Sequence, residues 1–166
     1  MLDTAPDQAV EQLERLLEQH KKLQQELTQY QRKAVSELGT ELVNQAEMIN
    51  GVNVVIAEVK LAEAEQLRSL GDQLRDRLHP AVIFLAARAN GKVQFVAMAS
   101  KEIAGKRVHV GNVIKSAAAV CGGGGGGRPD MAQAGGREPE KLPQALELVR
   151  DLLAQQLEEK QTKAPN

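Results

Sequence analysis

Residues 122–127 are six consecutive glycines, and no other feature constrains this 166-residue chain as strongly. A run without side chains buries nothing of its own, so it is either a flexible connection or backbone that comes close to something else. Its position favours the second use. A helical pattern with Val110, Val113, Ile114, Ala117, Ala118 and Cys121 on one face leads into it. A second pattern, over about residues 139–160, follows with Leu142, Leu146, Val149, Leu153 and Leu157. Such an internal position, followed at once by Arg128, Pro129 and Asp130, does not suit a slack tether. The run satisfies G-x-G-x-x-G trivially, but it follows a helix rather than a strand and has no closing Lys-Ser/Thr pair. Dinucleotide and Walker-type phosphate sites are therefore not expected.

Ahead of the glycines the chain changes character at about residue 50. Thr4 and Asp7 have capping-box spacing, with Pro6 in the first turn, so a helix is predicted to begin there. Leu13, His20, Leu27 and Ala34 form one row of a seven-residue repeat, and Leu16, Leu23 and Tyr30 form the other. The repeat fails at Glu37, and Gly39 is predicted to end the helix before a shorter helical stretch over 40–49. A narrow apolar seam must lie against that stretch, the rest of the chain or a second copy, and a self-pairing dimer leads these options. His20 reads as a polar residue that sets register, with no partner ligand nearby to make it a metal site.

Beyond the Asn50-Gly51 turn, residues 53–59 read as a strand and 61–78 as a helix carrying Leu67, Leu70, Leu74 and Leu78, ended by His79-Pro80. Residues 81–87 and 93–99 are almost unbroken apolar runs joined across Asn90-Gly91, which predicts two strands in a tight hairpin, covered on both faces. The fold class is therefore α+β. A coiled-coil helix comes first, followed by a mixed sheet of three or more strands, in the order β-α-β-β-α-loop-α, covered by helices. The domains expected are a helical arm over 1–50, a globular unit over 51–160 containing a Gly-rich loop at 122–136, and a disordered tail at 161–166.

Composition narrows the function. With 42% hydrophobic residues the chain can fill one core. Aromatics are only 2%, too few for a sheet that stacks successive bases on rings. Cys121 is the single cysteine, which excludes an internal disulfide or a multi-cysteine zinc site and points to a reducing, cytoplasmic setting. It lies on the apolar face of its helix without a histidine partner, so it is expected to pack rather than react. No run approaches a membrane span, and neither a membrane partner, a metal nor a cofactor is expected. The formal net charge of −1 hides a local excess. Residues 101–128 hold Lys101, Lys106, Arg107, Lys115 and Arg128 against Glu102 alone, a net of +4 in an otherwise acidic chain. A solvated lysine face and a polyanion site explain such a patch equally well.

Residues 122–136, GGGGGGRPDMAQAGG, resemble the signature of the C-terminal domain of alanyl-tRNA synthetases, above all in GGGRPDMAQAGG. The resemblance extends over about residues 52–158, through the Asn-Gly hairpin, Ser100-Lys101, residues 105–111 and the closing helix. It is similar to the nucleic-acid-binding domain that accompanies the DHH phosphodiesterases. The family implies a tRNA-binding module that grips the outer corner where the D and T loops meet and helps one tRNA engage both aminoacylation and editing centres. Carried onto this sequence, the motif covers Gly124, Gly125, Gly126, Gly127, Arg128, Pro129, Asp130, Met131, Gln133 and Gly135-Gly136. Within it, Arg128 is the donor to phosphate or base edges, and Asp130 holds the loop or Arg128 rather than accepting from a base. Met131 is a buried anchor, while Lys101, Lys106, Arg107, His109 and Lys115 add electrostatic support. The partners implied are tRNA, alanine-specific by resemblance, the remainder of an alanyl-tRNA synthetase, and a second copy through Leu13, Leu16, His20, Leu23, Leu27 and Tyr30. These residues contain no ATP-binding, editing or DHH phosphodiesterase centre, so the chain is expected neither to charge nor to edit tRNA alone. It reads as an excised fragment beginning at an added Met1, with a free-standing paralogue that binds RNA or DNA as the alternative.

Overall fold

A computed structural model describes residues 6–61 and 63–159; Thr4 of the predicted capping box and the predicted tail lie outside them. The chain divides into two compact units, with the boundary between Ser36 and Glu37. In the first, α1 (Pro6–Asn44) forms a helix whose seam residues Leu13, Leu16, Leu23, Leu27 and Tyr30 are between 56% and 73% exposed. Among the described residues none covers that stripe.

The second unit holds the last turns of α1 and all of the sheet. α1 does not stop at Gly39 as its sequence predicts. Gly39 is buried inside the continuing helix, and a Cβ there would make only an ordinary contact with Leu70 at 3.5 Å. The helix predicted over 40–49 is also incorrect in its second half. α1 ends at Asn44, and Glu47–Ile49 is a strand, β1, so the 1–50 arm is not wholly helical. β1 returns antiparallel onto β2 (Val52–Glu58) through Asn50 and Gly51, both at positive φ, the geometry a two-residue hairpin turn requires. Pairing with β2 gives these three residues a ladder that local helix propensity does not offer.

From β2 the chain crosses through α2 (Ala64–Arg77) to the parallel strand β3 (Ala81–Ala89). It then turns at Asn90-Gly91 into β4 (Lys92–Ala99). α3 (Val110–Val120), β5 (Gly124–Gly127), β6 (Met131–Gly136), a short 3-10 turn and α4 (Leu142–Glu159) complete the unit. The sheet is mixed, six-stranded and open, in the order β1-β2-β3-β4-β6-β5. Leu67, Leu70 and Leu74 of α2 cover one face, while α3 and α4 bury Phe84, Phe95, Ala97 and Ala132 on the other. Coverage on both faces explains the continuous apolar runs of β3 and β4.

The sequence reading of 122–136 as a loop is overturned. Ten of these residues, eight of them Gly or Ala, become the hairpin β5–β6, because β4 offers a free edge and α3 closes over the glycines. Cys121, fully buried, joins α3 to this hairpin, and burial pushes its thiol pKa up, helped by Glu138 and Glu140.

Ser100, the buried polar side chain in the core, accepts from the Ala81 amide through Oγ at 2.9 Å, and its own amide donates back to the Ala81 carbonyl. Ser100→Ala removes the acceptor from a buried N–H and is expected to cost about 1–3 kcal/mol, read as a lower denaturant midpoint at unchanged m-value.

Candidate nucleic-acid interface

Glycine is demanded in β5 by close approach. A Cβ on Gly125 would lie 2.5 Å from Ala134 Cα, one on Gly127 2.7 Å from Ala132 Cα, and one on Gly123 would run into the Gly135 carbonyl oxygen. α3 presses in from the core side with a glycine of its own. A Cβ on Gly111 would sit 2.5 Å from the Gly127 carbonyl oxygen. Gly124 and Gly126 differ, since a Cβ at either meets nothing within 4 Å. Alternate glycines are thus needed inside the fold and leave open surface outside it.

At the tip of the hairpin the Arg128 amide donates to the Met131 carbonyl at 2.9 Å, making Pro129-Asp130 the corner. Two further bonds hold the corner in place. The Val110 amide, at the start of α3, donates to the Pro129 carbonyl at 3.2 Å, and the Ala99 amide, at the end of β4, donates to the Asp130 carbonyl at 2.9 Å. Pro129 also packs where a Gly105 side chain would stand. With its backbone so fixed, Arg128 projects with 74% of its side chain exposed, and Asp130 Oδ1 lies 3.2 Å from its Nε. An exposed pair of this kind adds at most about 1 kcal/mol to stability, but it orients the guanidinium while leaving its outer donors free.

The structure gathers only some of the basic residues into one place. The segment from Ser100 to His109 wraps the Arg128 corner through the Gly105–Pro129 packing, and it carries Lys101 and Lys106 exposed. Arg107 is committed elsewhere: its guanidinium donates to the Asn50 carbonyl at 2.9 Å and to the Leu157 carbonyl at 3.5 Å, tying the β1–β2 turn to the last turn of α4. His109 is the N-cap of α3; its Nδ1 accepts from the Asn112 amide at 3.2 Å, and its own amide donates to Gln156 Oε1 at 3.0 Å. Lys115 is exposed further along α3. Met131 is half-buried, and Gln133 is exposed, beside Arg68, Asp72 and Asp76 at a groove of about 610 Å³ along α2.

Lys92, Gln94 and Arg137, which sequence reading missed, share the hairpin's other end. Pairing aligns Gln94 with Gly135 and Gly135 with Gly124, so the three stand in one row across the sheet, on the face opposite Phe95. Lys92, Gln94 and Arg137 rim a groove of about 820 Å³ floored by Gly122–Gly124 and Gly135–Gly136. Only the register reveals this grouping, because 43 positions separate Gln94 from Arg137 in sequence. Among the described residues there is no group of three His, Cys, Asp or Glu placed to hold a metal, and no helix long and apolar enough to cross a membrane.

The pattern of the DHHA1 domain matches residues 51–155, which hold this sheet and its glycine hairpin, and the chain belongs to that family. Its relatives are more specific. The chain is 41% identical over 157 residues to the alanine–tRNA ligase of Alkaliphilus metalliredigens (strain QYMF) and 39% over 156 residues to that of Alkaliphilus oremlandii (strain OhILAs). These alignments take in 95% and 94% of the chain but only 18% of each relative. The crystal structure of the C-Ala domain from Aquifex aeolicus alanyl-tRNA synthetase superposes with a TM-score of 0.60 at 39% identity, covering 66% of this chain and 97% of that one. The chain is therefore homologous to the C-terminal domain of alanyl-tRNA synthetase, and it spans less than a fifth of the ligases' length.

Two substitutions separate the glycines' two roles. Gly125→Ala is expected to cost about 1–3 kcal/mol by forcing the β5–β6 backbones apart, whereas Gly124→Ala leaves the thermal midpoint within about one degree of the parent. Calorimetry on the two variants checks the contrast.

Proposed function

We propose that the chain is the tRNA-binding C-terminal module of an alanyl-tRNA synthetase, gripping the outer corner of tRNA at the D and T loops and aiding the coupling of aminoacylation to editing. The observation that carries this reading is the Arg128 corner: an exposed guanidinium on a backbone pinned by bonds from α3 and β4, at the edge of a sheet almost bare of side chains. Such a surface admits a close ribose-phosphate backbone, and a fixed guanidinium engages phosphate or a guanine edge in bidentate fashion. Lys101 and Lys106 add charge around the corner, Asp130 positions Arg128, and Gly124–Gly127 with Gln133 form the surface beside it. His109 and Arg107 act indirectly, by holding α3 and α4, and Lys115 contributes long-range attraction. The module binds and positions without performing chemistry itself, works with the remainder of a synthetase in the cytoplasm, and needs no cofactor.

Titrating the chain with a tRNA transcript and with an unstructured RNA of equal length across a salt series tests the reading. Tighter binding of tRNA at moderate salt is expected, and equal affinity for the two RNAs overturns it. Arg128→Ala is expected to weaken tRNA binding by about 1–3 kcal/mol if the contact is bidentate to a base, or to lower only the salt slope, by about one, if it meets phosphate.

The exposed seam of Leu13, Leu16, His20, Leu23, Leu27 and Tyr30 favours a second role, self-association through α1. Sedimentation of the intact chain is expected to show a dimer that a chain beginning at Glu37 no longer forms. A monomer in both cases removes this role.

A further inference from the structure

The groove at the far end of the glycine hairpin has its own charge, its own floor and an unsatisfied polar group. Lys92 and Arg137 stand exposed on its rim, and neither takes part in any ion pair found among the described residues. Two acidic groups in the neighbourhood are already paired, and Glu140 is not among the residues that line the groove. Glu138 is held by Lys141 Nζ at 3.0 Å, and Glu58 is held by Arg88 Nε at 2.8 Å. The floor is peptide backbone, with Gly124 open to the groove and Arg137 anchored from behind by its amide's 2.8 Å bond to the Cys121 carbonyl. Gln94 lies in the wall, and its Oε1 is the buried side-chain polar atom that finds no hydrogen-bond partner among the described residues. Nothing polar holds that carboxamide in its present rotamer, so it is free to turn toward a donor in the groove.

We infer that this groove is a second RNA-backbone subsite, in which Lys92 and Arg137 clamp a phosphodiester while the Gln94 carboxamide meets the adjoining ribose 2′-hydroxyl. The inference rests on the tRNA-binding reading above and extends it away from the basic stretch that carries Arg128. The six residues of β6 separate the two ends of the hairpin by five residue steps, about 17 Å at roughly 3.3 Å per residue. Gly124, Gly135 and Gln94 belong to the far end, and on the same face the paired Gly126 and Gln133 come next toward the Arg128 corner. A nucleic-acid strand is the ligand that suits two separated cationic points joined by a bare surface, since its charges recur along a line. The ribose hydroxyl, both donor and acceptor, suits a lone carboxamide and is absent from DNA.

The experiment uses the full chain and an unmodified tRNA transcript, measuring the slope of log K against log salt concentration. Lys92→Gln with Arg137→Gln is expected to lower the slope by roughly 0.7–0.9, the loss of one phosphate contact, with the fold intact by circular dichroism. Arg150→Gln, which removes a positive charge on α4 and breaks only an exposed pair with Glu47, is expected to leave the slope unchanged. Gly124→Val fills the open floor without meeting any neighbour of its Cβ and is expected to weaken binding several-fold. A double variant and a Gly124→Val variant that both bind like the parent overturn the subsite while leaving the module's tRNA binding standing. A parent chain that does not prefer tRNA overturns both.

Discussion

The contact on which the molecule depends is backbone against backbone. α3 reaches β5 only because Gly111 has no side chain to strike the Gly127 carbonyl, and β5 reaches β6 only because Gly123, Gly125 and Gly127 have none to strike their partners. This packing brings the start of α3 to the Pro129 carbonyl and the end of β4 to the Asp130 carbonyl, fixing the corner that carries Arg128. A side chain at any of these glycines would push the hairpin off its edge, and the core beneath Cys121 and Gly136 would open with it. The six glycines therefore stiffen the site. Burial between a helix and a paired strand removes the freedom that glycine has in an isolated chain.

Charge follows the same geometry. The basic excess of residues 101–128 is partly consumed in holding the fold, Arg107 by closing the β1–β2 turn onto α4 and His109 by capping α3. What remains for a polyanion is Lys101, Lys106 and Arg128 at one end of the hairpin, with Lys92 and Arg137 at the other. A surface with few aromatics and many bare peptide groups recognises by approach and shape, with the cations setting register. The near-neutral total charge is no obstacle, because the acidic residues of α1 and α4 lie outside these two clusters.

Much of this was legible in residue order. The β3–β4 hairpin, α2, α3 and α4 follow from apolar spacing and from Asn90-Gly91, and each is strong because period and turn chemistry agree. The Arg128 corner was legible through its motif. Two local readings failed for one reason. Gly39 reads as a helix end and residues 122–136 as a loop because glycine's intrinsic cost in helix and strand is visible in sequence while the tertiary contacts that offset it are not. Residues 47–49 joined a strand for a similar cause, the ladder offered by β2.

The sequence alone determined the class of fold, the order of its main elements, the apolar seam of α1 and the motif that places the chain beside alanyl-tRNA synthetases, because all of these are written in short-range spacing. Tertiary structure decided which glycines bear packing and which face open space, which cations are spent inside the fold, and that Gln94, Gly135 and Gly124 form one row with Lys92 and Arg137 beside it. Those are matters of strand register and helix closure, set by contacts between positions tens of residues apart, and no local pattern encodes them.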